Sequence, residues 1–269
     1  MRADLTSKTD GPGFAPGSVV LAGAGPGGAD LLTLGALRAL QAADVVIHDR
    51  LVSAEVVALA RAGAEVIAAG KEGYGPSWAQ DDICALMVAR ALAGLRVLRL
   101  KGGDPAIFGR LDEEIEALEA AGIPFRVLPG VTAASAAAAS LGRSLTRRAR
   151  NSELRLVTGH DLKGYAEQDW RALARPGEVA AIYMGARAAR FLQGRLLMHG
   201  ADPATPVTAV ANAAHPGERQ VAARLGDLAE TLAQAELAGP VMLLLGIAPR
   251  GAEAPAPALP EIGVKELTL

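Results

Sequence analysis

Between residues 18 and 248 the chain alternates short apolar runs with longer stretches in which apolar residues recur at helical spacing. That alternation predicts strands separated by helices, and so a mostly parallel sheet covered on its faces. Strands are expected at 18–22, 44–48, 65–68, 96–100 and 125–128, with helices over 31–42, 80–93 and 111–121. Gly122-Ile123-Pro124 stops the last helix: glycine tolerates the left-handed turn and proline cannot continue the ladder. After Pro129 small residues dominate, and 133–139 predicts a helix that lets other backbone approach closely. A basic loop at 143–150 follows. Further strands are expected at 154–158, 179–184, 207–211, 220–224 and 241–245, with helices at 186–198 and 225–235. The reading is two α/β domains with mixed, mostly parallel sheets, at 18–130 and 131–248. They lie between disordered tails at 1–17 and 249–269.

Composition narrows the picture. Hydrophobic residues make up 51% and aromatic residues 3%, so the core must be built from Ala, Val, Leu and Ile. The net charge of −2 gives no global basic field for nucleic acid, and an anionic ligand needs a local arginine or lysine cluster. Cys84 is the only cysteine, which excludes an internal disulfide and a cysteine-based zinc site; a buried, inert thiol is expected. His48, His160, His199 and His215 lack the close spacing of a metal site, and His160 reads as a hydrogen-bonding structural residue. The first 17 residues lack the apolar stretch of a signal peptide, and no apolar run reaches membrane-spanning length. A soluble, cytoplasmic protein with no membrane contact is expected.

Candidate chemistry begins at Gly23-Ala24-Gly25-Pro26-Gly27-Gly28, which follows a strong strand and matches G-x-G-x-x-G. Asp49 ends the next strand, at the spacing of the ribose-binding acid of a dinucleotide site. Two details oppose that reading. Pro26 removes a backbone N–H from the loop that should cradle a pyrophosphate, and the helix begins late, after Asp30. A purely structural turn, or a ligand without a pyrophosphate, fits the same residues.

More segments fall where strand ends should line a cleft: His48-Asp49-Arg50-Leu51-Val52, Lys101-Gly102-Gly103-Asp104-Pro105 with Phe108-Gly109-Arg110, and Pro129-Gly130-Val131-Thr132-Ala133. Thr158-Gly159-His160 and Tyr183-Met184-Gly185 complete the series, with Gly70-Lys71 and Gln80 in register. Each motif is weak alone. In this order, over about residues 18–247, they resemble the tetrapyrrole methylase family, and within it the members that act on uroporphyrinogen III.

The resemblance implies S-adenosylmethionine bound in a cleft between two α/β domains, with S-adenosylhomocysteine as product. Carried over by residue, the cofactor contacts are Pro26, Gly102, Gly103, Asp104, Ile107, Thr132, Ala133, Met184, Ala213 and Pro240. Arg110 and Glu113 are the implied catalytic pair, and Arg50, Arg110, Glu113 and Arg148 the implied substrate contacts. The implied reaction is C-methylation at C2 and C7, giving precorrin-2 through precorrin-1, by a homodimer serving cobalamin or sirohaem synthesis. Uroporphyrinogen III carries eight carboxylates, which Arg50, Arg110, Arg147, Arg148 and Arg150 would meet at loops expected to face the cleft. The chain departs from the family at Leu111-Asp112, Ala106, Arg147, Glu72 and Gly28-Ala29. Those changes touch the substrate side more than the cofactor side. A methyltransferase for another precorrin position, a nicotinamide-dependent oxidoreductase and a non-catalytic binding relative stand as alternatives.

Overall fold

The computed structural model describes residues 14–69, 78–161 and 164–250. The Gly70-Lys71 pair and Glu72 lie outside these residues, as do most of the two expected tails. Phe14 packs on the first core, and Arg143 donates from Nε to the Ala248 carbonyl at 2.8 Å, so the described chain is tied down at both ends.

The first half places β1 (Val19–Gly23), α1 (Leu34–Ala42), β2 (Val45–His48), α2 (Ala54–Val57), β3 (Glu65–Ala68), α3 (Gln80–Leu92), β4 (Val97–Lys101), α4 (Leu111–Ala120) and β5 (Phe125–Leu128). Its five strands are ordered β3-β2-β4-β1-β5, every pair parallel. Strand periodicity sorts the core. Val20 and Ala22 join Leu98, Leu100 and Leu40 of α1 on one face, while Val19 and Leu21 join Val97, Met87 of α3 and Leu118 of α4 on the other.

The second half holds α5 (Ala133–Ser140), β6 (Arg155–Thr158), β7 (His160–Asp161), β8 (Gly164–Tyr165), α6 (Trp170–Leu173), β9 (Ala180–Tyr183), α7 (Ala189–Met198), β10 (Pro206–Ala211), β11 (Arg219–Arg224), α8 (Leu228–Ala235) and β12 (Val241–Leu245). Its main sheet runs β11-β10-β12-β9-β6. Only β6 and β9 pair in parallel there; the other three pairs are antiparallel. The mostly parallel expectation therefore describes the first sheet, and the second is mixed. Helix α5 packs its alanines against Val210, Met242 and Leu244, so small side chains let it lie close on the second sheet.

At the amino-terminal ends of β2 and β4, away from the glycine turns, Asp44 holds Arg61 and Arg96 together. Arg96 reaches it through Nε and its own backbone N–H, each at 2.9 Å. Those bonds, the Arg96 side chain first, hold the Asp44 carboxyl well below the ordinary carboxylate range. A depressed folded-state pKa contributes stability above the unfolded value, and that contribution is lost as pH falls through the acid range. Asp44→Asn is therefore expected to cost about 1–3 kcal/mol at neutral pH. Thermal melts of both proteins from pH 7 to pH 3 should draw closer, because the wild-type advantage begins to shrink once pH falls below the unfolded carboxylate value.

Candidate active site between the two sheets

Three turns meet at the carboxyl end of the first sheet, and glycine makes their approach possible. A Cβ on Gly130 would sit 2.2 Å from the Gly103 carbonyl oxygen, and one on Gly23 would sit 2.5 Å from it. No side chain fits there. Gly25 and Gly103 exchange both backbone bonds, at 3.2 and 2.8 Å, and Ala24 N donates to Lys101 O at 2.7 Å. The Asp104 carboxylate finishes the junction, accepting from Ala106 N at 2.8 Å and from Gly130 N at 3.0 Å.

The glycine-rich turn also touches the second half. Gly28 N donates to Ala214 O at 3.3 Å, and a Cβ on Gly27 would lie 2.2 Å from that oxygen. The amides of Ala24, Gly25 and Gly28 are thus spent on protein carbonyls, and Pro26 has none. A single 3-10 turn, Ala29–Leu31, follows the glycines, and the next α-helix starts only at Leu34, capped by Thr33, so no α-helix N-terminus faces the turn. Asp49 is occupied too: its oxygens accept from Leu51 N and Gly102 N. A pyrophosphate has no cradle here.

Between the turns lies a cavity of about 440 Å³, lined from both sheets. All ten residues expected to hold a cofactor border it: Pro26, Gly102, Gly103, Asp104, Ile107, Thr132, Ala133, Met184, Ala213 and Pro240. The two halves also touch across it. The Tyr183 ring, whose hydroxyl hydrogen-bonds Thr132 Oγ1 within the second half, lies 4.9 Å from the Phe108 ring of the first. Phe108, Arg110 and Met184 all adopt left-handed backbone, at φ 52°, 54° and 53°. Such conformations cost free energy and gather at functional sites.

Arg110 sits at the cavity rim, immediately before α4. Its Nε donates to Glu113 Oε1 at 2.7 Å. That bond raises the guanidinium pKa and lowers that of Glu113, so both stay charged. Both are about half exposed, so the pair orients more than it stabilises. Arg50 and Arg148 are placed elsewhere: both are exposed and neither borders the cavity. Arg147, Arg148 and Arg150 instead line a separate concavity formed by residues 146–152. Arg150 donates from Nε to Asn151 Oδ1 at 2.9 Å within that loop. His160 is held by backbone, with Nδ1 3.3 Å from Met184 O, as its structural reading anticipated.

A family model described as tetrapyrrole (corrin/porphyrin) methylases matches residues 18–229. The chain belongs to that family. It is 49% identical over 232 residues to a uroporphyrinogen-III C-methyltransferase of Paracoccus denitrificans, covering 86% of this chain and 80% of that protein. It is 45% identical over 245 residues to a siroheme synthase of Methylococcus capsulatus, covering 91% of this chain. The chain spans about half the length of the siroheme synthases it matches, 51% in that case. Among solved structures, uroporphyrin-III C-methyl transferase of Thermus thermophilus complexed with S-adenyl homocysteine superposes with TM-score 0.73 at 39% identity, covering 85% of this chain and 97% of that one. A cobalt precorrin-4 methyltransferase of cobalamin biosynthesis superposes with TM-score 0.77 at 28% identity, covering 87% and 97%.

One cluster at this cavity was given no role by the sequence, although Lys101 and Gln80 stand within its motifs. Arg99 and Lys101 border the cavity from β4, yet they are only 3% and 4% exposed. Both donate to one oxygen of fully buried Glu114 on α4, at 2.9 and 2.8 Å, and Gln80 Nε2 donates to it at 3.2 Å. Burial, then the neighbouring Arg99 charge, pushes the Lys101 pKa down. Glu114 thereby pins α4, and with it Arg110, to the strand that carries the Gly102-Gly103 turn. Removing one partner of such a buried cluster leaves uncompensated charge. Glu114→Ala is expected to destabilise by about 3–5 kcal/mol in urea unfolding; a cost below 1 kcal/mol would contradict the pinning role.

Proposed function

We propose that this chain transfers methyl groups from S-adenosylmethionine to C2 and C7 of uroporphyrinogen III, forming precorrin-2 by way of precorrin-1. The observation that carries the reading is the convergence of Pro26, the Gly102-Gly103-Asp104 turn, Thr132, Ala133, Met184, Ala213 and Pro240 on one cavity. Its size is in the range of small-molecule sites. The spent amides around Pro26 favour a nucleoside that carries no phosphate, and the open glycine turns let such a ligand approach backbone directly. The names of the Paracoccus and Thermus relatives support the same donor and acceptor.

S-adenosylmethionine, when bound, supplies an already activated methyl group. The protein's part is then placement and exclusion of water. Pro26 and residues 102–104 form one wall, and Met184, Ala213 and Pro240 the opposite one, so a folded nucleoside is gripped from both sheets. Arg110 at the rim meets a substrate carboxylate and steadies charge as the pyrrole carbon attacks, while Glu113 holds its guanidinium in place. A permanently protonated arginine is a poor base, so Arg110 acts by charge and position. We read the protein as cytoplasmic and homodimeric, on the family resemblance; no described helix is long and apolar enough to cross a membrane. The product would serve cobalamin, sirohaem or haem d1 synthesis.

Incubation with uroporphyrinogen III and methyl-labelled cofactor, followed by product mass, tests donor, acceptor and stoichiometry together. Two added labelled methyl groups are expected. No addition to uroporphyrinogen III, with addition to a later precorrin, would move the assignment to another ring position. Arg110→Lys keeps the charge and loses the fork, so it should retain activity at roughly a tenth of kcat/KM. Complete inactivity with unchanged substrate binding would contradict a charge role.

A further inference from the structure

The buried cations on β4 are more than a structural pin. Lys101 carries three N–H donors, and among the described residues its ammonium donates to Glu114 Oε1, at 2.8 Å. Arg99 spends Nε on the same oxygen and Nη1 on the carbonyls of Ile47 and Leu100, each at 3.3 Å. Two cations therefore share one carboxylate, and both border the cavity. The charged groups acting on Lys101 are Arg99 from its own strand, Glu114 and Glu113 from α4 and Asp49 from the turn after β2, while Gln80 of α3 donates to Glu114 beside it. Asp49 adds negative charge on this side, but its two oxygens already receive Leu51 N and Gly102 N. The Lys101 ammonium thus retains donors at a largely dehydrated cavity wall, where a charged acceptor gains most.

We propose that Lys101 is a carboxylate-receiving residue on the inner wall of the cavity, with Arg99 and Glu114 fixing its position. This rests on the methyltransferase reading above. Two carboxylates are within that reading's chemistry: a side-chain carboxylate of the tetrapyrrole, and the amino-acid carboxylate of the cofactor. Arg110 does not duplicate the role, since it lies at the rim, and the Asp104 carboxylate, an anion that only accepts, cannot receive another carboxylate.

The test uses wild type, Lys101→Met and Lys101→Arg, with melting temperature measured alongside. Binding of S-adenosylhomocysteine and of its decarboxylated analogue is followed by calorimetry, and KM and kcat are measured with uroporphyrinogen III. A tetrapyrrole carboxylate predicts that KM rises about tenfold or more in Lys101→Met while the S-adenosylhomocysteine Kd is unchanged. A cofactor carboxylate predicts the reverse: the Kd for S-adenosylhomocysteine weakens about tenfold, and the decarboxylated analogue is indifferent to the substitution. In either case Lys101→Arg, which keeps the charge, should recover most of the loss. Lys101→Met with KM and Kd both within twofold of wild type overturns the inference while leaving the methyltransferase assignment intact. So does a parallel loss of melting temperature, binding and turnover that Lys101→Arg does not relieve. A wild-type protein that neither binds S-adenosylhomocysteine nor turns over removes both readings.

Discussion

The site depends on backbone approaching backbone at distances that admit no side chain. Gly23 ends β1, Gly103 follows β4 and Gly130 follows β5, and the three meet around one carbonyl oxygen. In an open parallel sheet, ligands gather outside the carboxyl ends of the strands, where neighbouring connections diverge. Here those connections are drawn together by glycine contacts and by the Asp104 carboxylate. The cavity opens beside the knot they form. Because the turns spend their amides on one another and on Ala214, the pocket they frame offers few free N–H groups to a phosphate. A single constraint, close packing of turns, thus both builds the pocket and selects against the dinucleotide that the glycine pattern resembles.

A second level of organisation lies beneath the first sheet's outer helices. Side chains on β4 alternate, so Leu98 and Leu100 face α1 while Val97, Arg99 and Lys101 face α3 and α4. Placing two cations there is tolerable only because Glu114 projects from α4 to meet them. The same helix begins just after Arg110, whose left-handed backbone turns the chain from the cavity loop into the helix. Rim and inner wall are therefore mechanically coupled through one turn of helix. Glu113 serves the rim and Glu114 the interior.

Much of the architecture was legible in hydrophobic spacing. The strands of both sheets fall within two residues of their expected positions, and α1 begins at Leu34, later still than the expected start at 31. What failed to read had physical causes. The run Leu98-Arg99-Leu100-Lys101 alternates apolar and charged residues like a half-exposed strand, and only the helix carrying Glu114, distant in sequence, reveals that Arg99 and Lys101 are interior. The short helices α2 and α6 and the β7–β8 hairpin are too brief to leave a periodic signal. The basic loop at 143–150 was expected at the cleft because of its charge. Yet Arg143 turns toward the Ala248 carbonyl and Arg150 braces its own loop. Charge density locates cations along a chain but not the direction they face.

The central claim is that turns from both sheets grip one phosphate-free nucleoside, and a crystal structure of the complex with S-adenosylhomocysteine tests it most directly. The account predicts a single ligand touching Pro26, Asp104, Thr132 and Met184 at once, with no solvent layer between it and the Gly102-Gly103 backbone. Density for the ligand outside this cavity, or against one sheet only, would contradict it.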